Sequence, residues 1–282
     1  MRTERLRAGL ALALALSGAA AMADDAPLRT RQAGVLRVAV YKDYPPFADK
    51  EQGIDVDVGT ALAAKLGLKA EVRAYPDADS IDGDLRNIIW KGHPLWREEI
   101  ADVMLHVPVD PHVIQKNEQV KIFGPYFRER LVVARSPTRI PQLPTMQIFT
   151  SEKIGVEVET VEDRYLVGSF GGLLRENVVH FATVIAATEA LLKGEVSAVM
   201  GRQTLVEAGL GSAAGNYVVA AAPAPGLATT GWELGLAVKA DNPELAAALQ
   251  KALSELLQEG VVERAFTRRG LSYRAPVGVG SN

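Results

Sequence analysis

The sequence predicts an α/β protein made of two successive β-α-β patterns. Short apolar runs alternate with amphipathic stretches along nearly the whole chain, the signature of parallel strands joined by helical crossovers. A stretch punctuated by Pro137, Pro141 and Pro144 interrupts the first pattern, and a second begins at Lys153. Without its first 23 residues the chain keeps about 260, enough for one large domain or two of ordinary size.

The first residues read as an export signal. Arg2, Arg5 and Arg7 form a positive start, residues 8–16 a short apolar core, and Ala21-Met22-Ala23 a small-x-small cleavage site. The apolar core is well short of the ~20 residues that a membrane span needs. Cleavage would remove three Arg and one Glu, a surplus of +2, taking the formal charge from −3 to −5. The expected location is therefore the periplasm. That mild acidity offers no basic footprint for nucleic acid or anionic lipid. The chain has no cysteine, which excludes disulfides, thiol catalysis and thiolate metal sites.

Taken in order, residues 35–40 read as a strand with Leu36, Val38 and Val40 on one face. Tyr41, Tyr44 and Phe47 follow in a loop that Pro45-Pro46 holds extended. Two roles fit this aromatic loop: a cover for its own domain, or a wall for a site at the strand's end. Residues 53–58 open a helix in which Asp55 is expected to cap and Asp57 to face the helix dipole, with Gly67 as the stop. Residues 69–75 alternate as a strand. Ile81, Leu85, Ile88 and Ile89 place a helix on the core, ending at Gly92. Val103, Met104, Leu105 and Val107 form a buried third strand, and Pro108 with Asp110-Pro111 should stop its pairing in a turn.

Residues 131–134 read as a short strand before the proline-punctuated stretch, which is the expected crossing into the second unit. There, strands are expected at 153–157, 178–181, 196–200 and 217–220, with helices after Thr160, before Lys193-Gly194 and at 203–210. Residues 222–226 read as the return. A strand at 232–238 precedes a helix capped by Asn242-Pro243-Glu244, with a stripe of Leu245, Leu249, Leu253 and Leu256 and a stop at Gly260. A short helix with Val261, Val262 and Phe266 ends the fold, and the tail after Tyr273 is small and polar.

The motifs LRVAVYKDYPPF, GIDVDV, ADVM, VKIFGPYF, KIGVEVET, LLKGEVSAVMG and NPELAAALQKALSELLQEG occur in an order that resembles the periplasmic solute-binding proteins of the amino-acid type. The resemblance implies two α/β lobes, each a mainly parallel sheet flanked by helices, joined by two crossing strands around a ligand cleft. Residues 24–134 and 229–275 would form one lobe, 135–228 the other and 276–282 a tail. The segment DGDLRNIIWKGH together with ADVMLHVPVD is similar to the J-type accessory proteins of quinoprotein methanol dehydrogenase systems. That likeness implies a helper of a dehydrogenase carrying pyrroloquinoline quinone, and no cofactor of the chain's own. The alternative is the binding subunit of an importer for a small non-standard, acidic or aromatic solute. A periplasmic enzyme on the same fold is a third reading, without an evident nucleophile–base pair.

The resemblance carries over to the cleft only in part. Amino-acid binders hold the ligand carboxylate with an Arg after the third strand, but residues 107–120 contain none, and Lys116 is the nearest cation. The family's Gly-Thr pair becomes Glu159-Thr160, and Arg202 falls where the family has an Asp for the ligand amino group. The expected cleft set is Tyr41, Tyr44, Phe47, His106, Asp110, Lys116, Glu159, Thr160 and Arg202. Trp96, in the polar insert 93–99, is the candidate partner contact, against the alternative of folding under its own loop. His106, Asp110 and His112 resemble a ligand triad, but two prolines and the lack of helical spacing argue for a capped turn, and no metal is expected. No catalytic residue is expected.

Overall fold

The computed structural model describes residues 28–95 and 100–277. The expected export signal and Trp96 therefore lie outside the described residues. Strand β1 (Val35–Tyr41) runs parallel to β2 (Lys69–Tyr75), and α1 (Ile54–Lys65) crosses between them. β1 is buried on both faces. Leu36, Val38 and Val40 meet α1 and the C-terminal helices, while Ala39 and Tyr41 meet the opposite layer. A strand covered by helices on both sides needs no polar face.

α1 starts without a side-chain cap, which corrects the reading of Asp55. Gly53 holds φ 141°, and a Cβ there would collide with the Phe47 carbonyl. Asp55 instead turns inward, fully buried. Asp57 does face the first turn, where Arg269 Nη1 reaches it at 2.5 Å.

α2 (Ile81–Leu85) is capped by Ser80 and continues as a single wide π turn over Arg86–Trp90. The expected helix is thus present but changes its hydrogen-bond period, which keeps Ile88 and Ile89 buried. β3 (Val103–Pro108) pairs parallel with β1. Asp110 then caps a short helix, α3 (Pro111–Lys116), accepting from the backbone N–H groups of His112 and Val113.

β4 (Val120–Arg135) is one strand of 16 residues, far longer than the short strand expected at 131–134. Gly124, at φ 59°, lies in a register shift between Phe123 and Phe127, and this irregularity tolerates Pro125. β5 (Ile154–Glu157) follows, then α4 (Val161–Gly168) capped by Thr160, β6 (Val178–Phe181), α5 (Val184–Leu192) capped by Thr183, and β7 (Ala198–Arg202). α6 (Gln203–Leu210) and β8 (Val218–Ala221) lead to β9 (Gly231–Lys239), α7 (Pro243–Gln258) and α8 (Val261–Thr267).

The strand order is β2-β1-β3-β9-β4-β7-β5-β6, with β8 also on β4. β4 changes partners midway: residues 120–130 pair with β9, and residues 131–135 lie between β7 and β8. The change falls between Arg130 and Leu131, earlier than the proline-punctuated stretch. That stretch instead folds onto the second half, with Ile140 fully buried beside Met146 and Phe149. Hydrogen bonds from Leu131 N to the Thr230 carbonyl and from Ala222 N to the Leu131 carbonyl bring the return segment alongside. Among the described residues the buried side chains form four clusters, two in each half, and the two main ones meet at Trp232. Of these two, one joins β1, β3, β9, α1, α7 and α8, and the other β4's end, β5 and β7.

Candidate functional site

A cavity of about 370 Å³ opens between the two halves. Its first wall comes from the carboxyl ends of β1, β2 and β3: Tyr41 to Tyr44, Asp77 to Ile81, Asp84, His106 and Pro108. Arg202, the last residue of β7, faces them, and Trp232 and Leu234 of β9 lie between. Ligand sites in open α/β sheets form at such strand ends.

Tyr41, Tyr44, Phe47 and His106 form one aromatic group beneath this cavity. The His106 ring lies 4.3 Å from the Phe47 ring and 5.1 Å from that of Tyr44, both edge-on. Tyr41 donates to Asp84 Oδ2 at 2.7 Å, and the Ala78 N–H donates to Asp84 Oδ1 at 2.6 Å. Burial pushes the Tyr41 hydroxyl far up, and the neighbouring Asp84 adds to the shift. Burial also raises the Asp84 carboxyl, against the pull of those two donors. Arg202 Nη1 donates to the Tyr44 hydroxyl from the other half, with the guanidinium carbon 5.6 Å from the ring centroid.

His106 does not end its strand in the extended form. It sits at φ 63°, inside the register shift between Met104 and Val107. The left-handed turn directs Nδ1 to Asp55 Oδ2 at 3.1 Å, while the Tyr126 hydroxyl donates to Asp55 Oδ1 at 2.6 Å and accepts from the His106 N–H at 3.2 Å. Burial drives the Tyr126 hydroxyl well above the ordinary tyrosine range, with Asp55 next in effect. Asp43 and Glu159 are also left-handed, at φ 52° and 64°. Among the described residues, two of the five left-handed non-glycine residues, Asp43 and His106, thus follow or interrupt strands that end at the cavity, where backbone strain tends to accumulate.

Of the expected cleft residues, Tyr41, Tyr44, His106 and Arg202 line the cavity together. Phe47 lies in the core beneath them, 1% exposed. Asp110 and Lys116 are exposed on α3, outside the lining, because Asp110 is engaged as the helix cap. Thr160 is likewise engaged as the α4 cap, and Glu159 is exposed with its N–H on Asp163. The H-x3-D-x-H residues part company, His106 turning inward while Asp110 and His112 face solvent. Among the described residues no group of three or more His, Cys, Asp and Glu is arranged to hold a metal ion.

Sequence reasoning missed the acidic rim of Asp43, Asp77, Asp79 and Asp84. Its signal is visible in retrospect, since YPDADS follows directly on a strand. The pair of buried acids behind Arg202 was also missed. Glu129, 2% exposed, accepts from the Thr204 hydroxyl and the Arg130 N–H, and Glu162 is 5% exposed in the first turn of α4. Burial raises both carboxyls, and in each case the Arg202 charge opposes the shift.

No family model matches the chain. Among solved structures it is similar to an ancestral cationic amino acid solute-binding protein, at 20% identity, with a TM-score of 0.64 over 84% of this chain and 95% of that one. The fold is that of the two-lobed periplasmic binding proteins. The substrate-binding protein of an amino acid ABC transporter matches at 18% identity, TM-score 0.53, over 84% of this chain and 99% of that one. A solute receptor for L-cysteine from Neisseria gonorrhoeae matches at 21%, TM-score 0.53, over 84% and 89%. At these identities the likeness speaks for the fold, and the ligand has to be argued from the cavity.

Proposed function

We propose that this protein is a periplasmic solute-binding protein that captures one small molecule between its lobes for an importer. The observation that carries this is the cavity itself: about 370 Å³ at the strand ends, lined by aromatic rings and by a guanidinium from the opposite half. Tyr41, Tyr44 and Trp232 offer flat apolar surface to an aromatic or unsaturated body. Arg202 suits an acidic or strongly accepting head group. Asp43, Asp77 and Asp79 favour a donor or a positive charge at the other end.

A standard α-amino acid is disfavoured, because residues 107–120 supply no arginine for its carboxylate. A thermal-shift screen against amino acids, amines, aromatic acids and dicarboxylates tests the reading. It is supported if one class raises the midpoint in a saturable way and Arg202→Ala abolishes the rise, and it fails if no class does so. A second reading rests on the segments DGDLRNIIWKGH and ADVMLHVPVD: a helper for the maturation, activation or docking of a quinoprotein alcohol dehydrogenase, with Trp96 as a contact. Stoichiometric capture of such a dehydrogenase, lost in Trp96→Ala, would favour it, whereas the importer reading expects none.

A further inference from the structure

Arg202 and Tyr44 belong to opposite halves. Arg202 ends β7 within the second set of strands, and Tyr44 follows β1 and packs on the first core. The hydrogen bond between them spans the cavity. Among the described residues Arg202 has no ion pair within 4 Å, although it interacts with the buried carboxyls of Glu129 and Glu162 behind it. The group that reaches across the cleft is thus a cation of the chain's own, with its hydrogen bond on a neutral phenol.

The surroundings show how Arg202 is aimed. It precedes α6, whose first residues are tied to the crossing strand: Arg130 Nε donates to Gln203 Oε1 at 2.5 Å, and Thr204 donates to Glu129. Glu129 and Arg130 sit where β4 changes partners, next to the return segment. The end of β7 is therefore fixed to the connection between the halves, and its last side chain extends over Tyr44.

We propose that Arg202 is a tethered substitute for the ligand: it draws the two lobes together when no solute is present, and an entering solute has to displace it from Tyr44. A bound ligand closes such clefts by bonding to both lobes, and Arg202 already supplies one bond of this kind. The proposal concerns the protein without solute and does not depend on which solute is taken. Releasing Arg202 from Tyr44 shifts the population toward open forms and frees its guanidinium for the entering solute.

The test uses the full chain, stripped of any bound solute by refolding from urea. The protein has no native cysteine, so Glu51→Cys with Leu173→Cys gives one exposed label site in each half for single-molecule energy transfer. Tyr44→Phe removes the acceptor hydroxyl and keeps the ring. Arg202→Gln removes the charge. Both variants should shift the distribution to longer distances, and the double variant should shift it no further than the larger single one, because all three delete the same contact. Unchanged distances in the single variants, or shifts that simply add, would overturn the proposal. If Arg202→Gln fails to fold, Tyr44→Phe decides the matter alone.

Discussion

Replacing Tyr126 by Phe should destabilise the protein by about 3 kcal/mol. Its hydroxyl lies in the fully buried interior, gives its proton to Asp55 at 2.6 Å, and takes the His106 N–H at 3.2 Å. Removing the hydroxyl loses one hydrogen bond worth about 1–1.5 kcal/mol and leaves a buried backbone donor unpaired at about 1–3 kcal/mol. The phenyl ring stays in place, so the packing contribution is small. Because His106 is held left-handed by this same contact, no extended alternative lets its N–H find a strand partner without rebuilding the register shift with β9. In urea unfolding the midpoint should fall by about 1 M with an unchanged slope, taking a slope near 3 kcal/mol per molar. A fall below about 0.3 M would show that the Asp55–Tyr126–His106 group does not hold the floor of the cavity.

Three further outcomes follow from the same geometry. Glu159→Gly should stabilise by about 0.5–1 kcal/mol, since a left-handed residue at φ 64° costs about 1–2 kcal/mol and the added chain freedom offsets part of the gain; a lower thermal midpoint would refute it. The Glu129 carboxyl is raised by burial in the folded chain, so folding holds a proton that the unfolded chain has released. Stability should therefore fall as pH rises from the ordinary value of 4.5 toward the raised one, and Glu129→Gln should flatten that fall in melts across the window. An unaltered pH profile would count against the burial of this acid. Gly53→Ala should cost more than about 3 kcal/mol or prevent folding, because the added carbon meets the Phe47 carbonyl at a positive φ; a soluble variant with an unchanged midpoint would contradict this.

Local signals were most legible where one residue type has one use. Asn242-Pro243 marked the start of α7, Thr160 preceded α4, and Gly260 preceded α8 with its left-handed backbone. Asp55 misled for a physical reason. An acid near a helix start looks the same whether it caps the turn or meets a tyrosine 71 positions away, and only the tertiary fold distinguishes the two. Only residues 131–134 read as a strand, yet β4 runs through Gly124-Pro125 because the register shift removes the need for the missing donor. The turn at Asp110 was read as a binding feature and is a helix cap, while His106 only four residues earlier lines the cavity. Tyr41, Tyr44 and Arg202 were legible because strand ends and an altered family position pointed to them. The rim of Asp77 and Asp79 was not, since an acidic loop reads alike whether it faces a cleft or open solvent.

The central claim is that the cavity between Tyr44 and Arg202 takes a small molecule. Native mass spectrometry of the protein purified gently from its own periplasm tests this most directly. The expected result is one small-molecule adduct per chain, reduced in Arg202→Ala and absent after refolding from urea. Bare chain, accompanied by a stoichiometric dehydrogenase, would contradict the account and favour the helper reading.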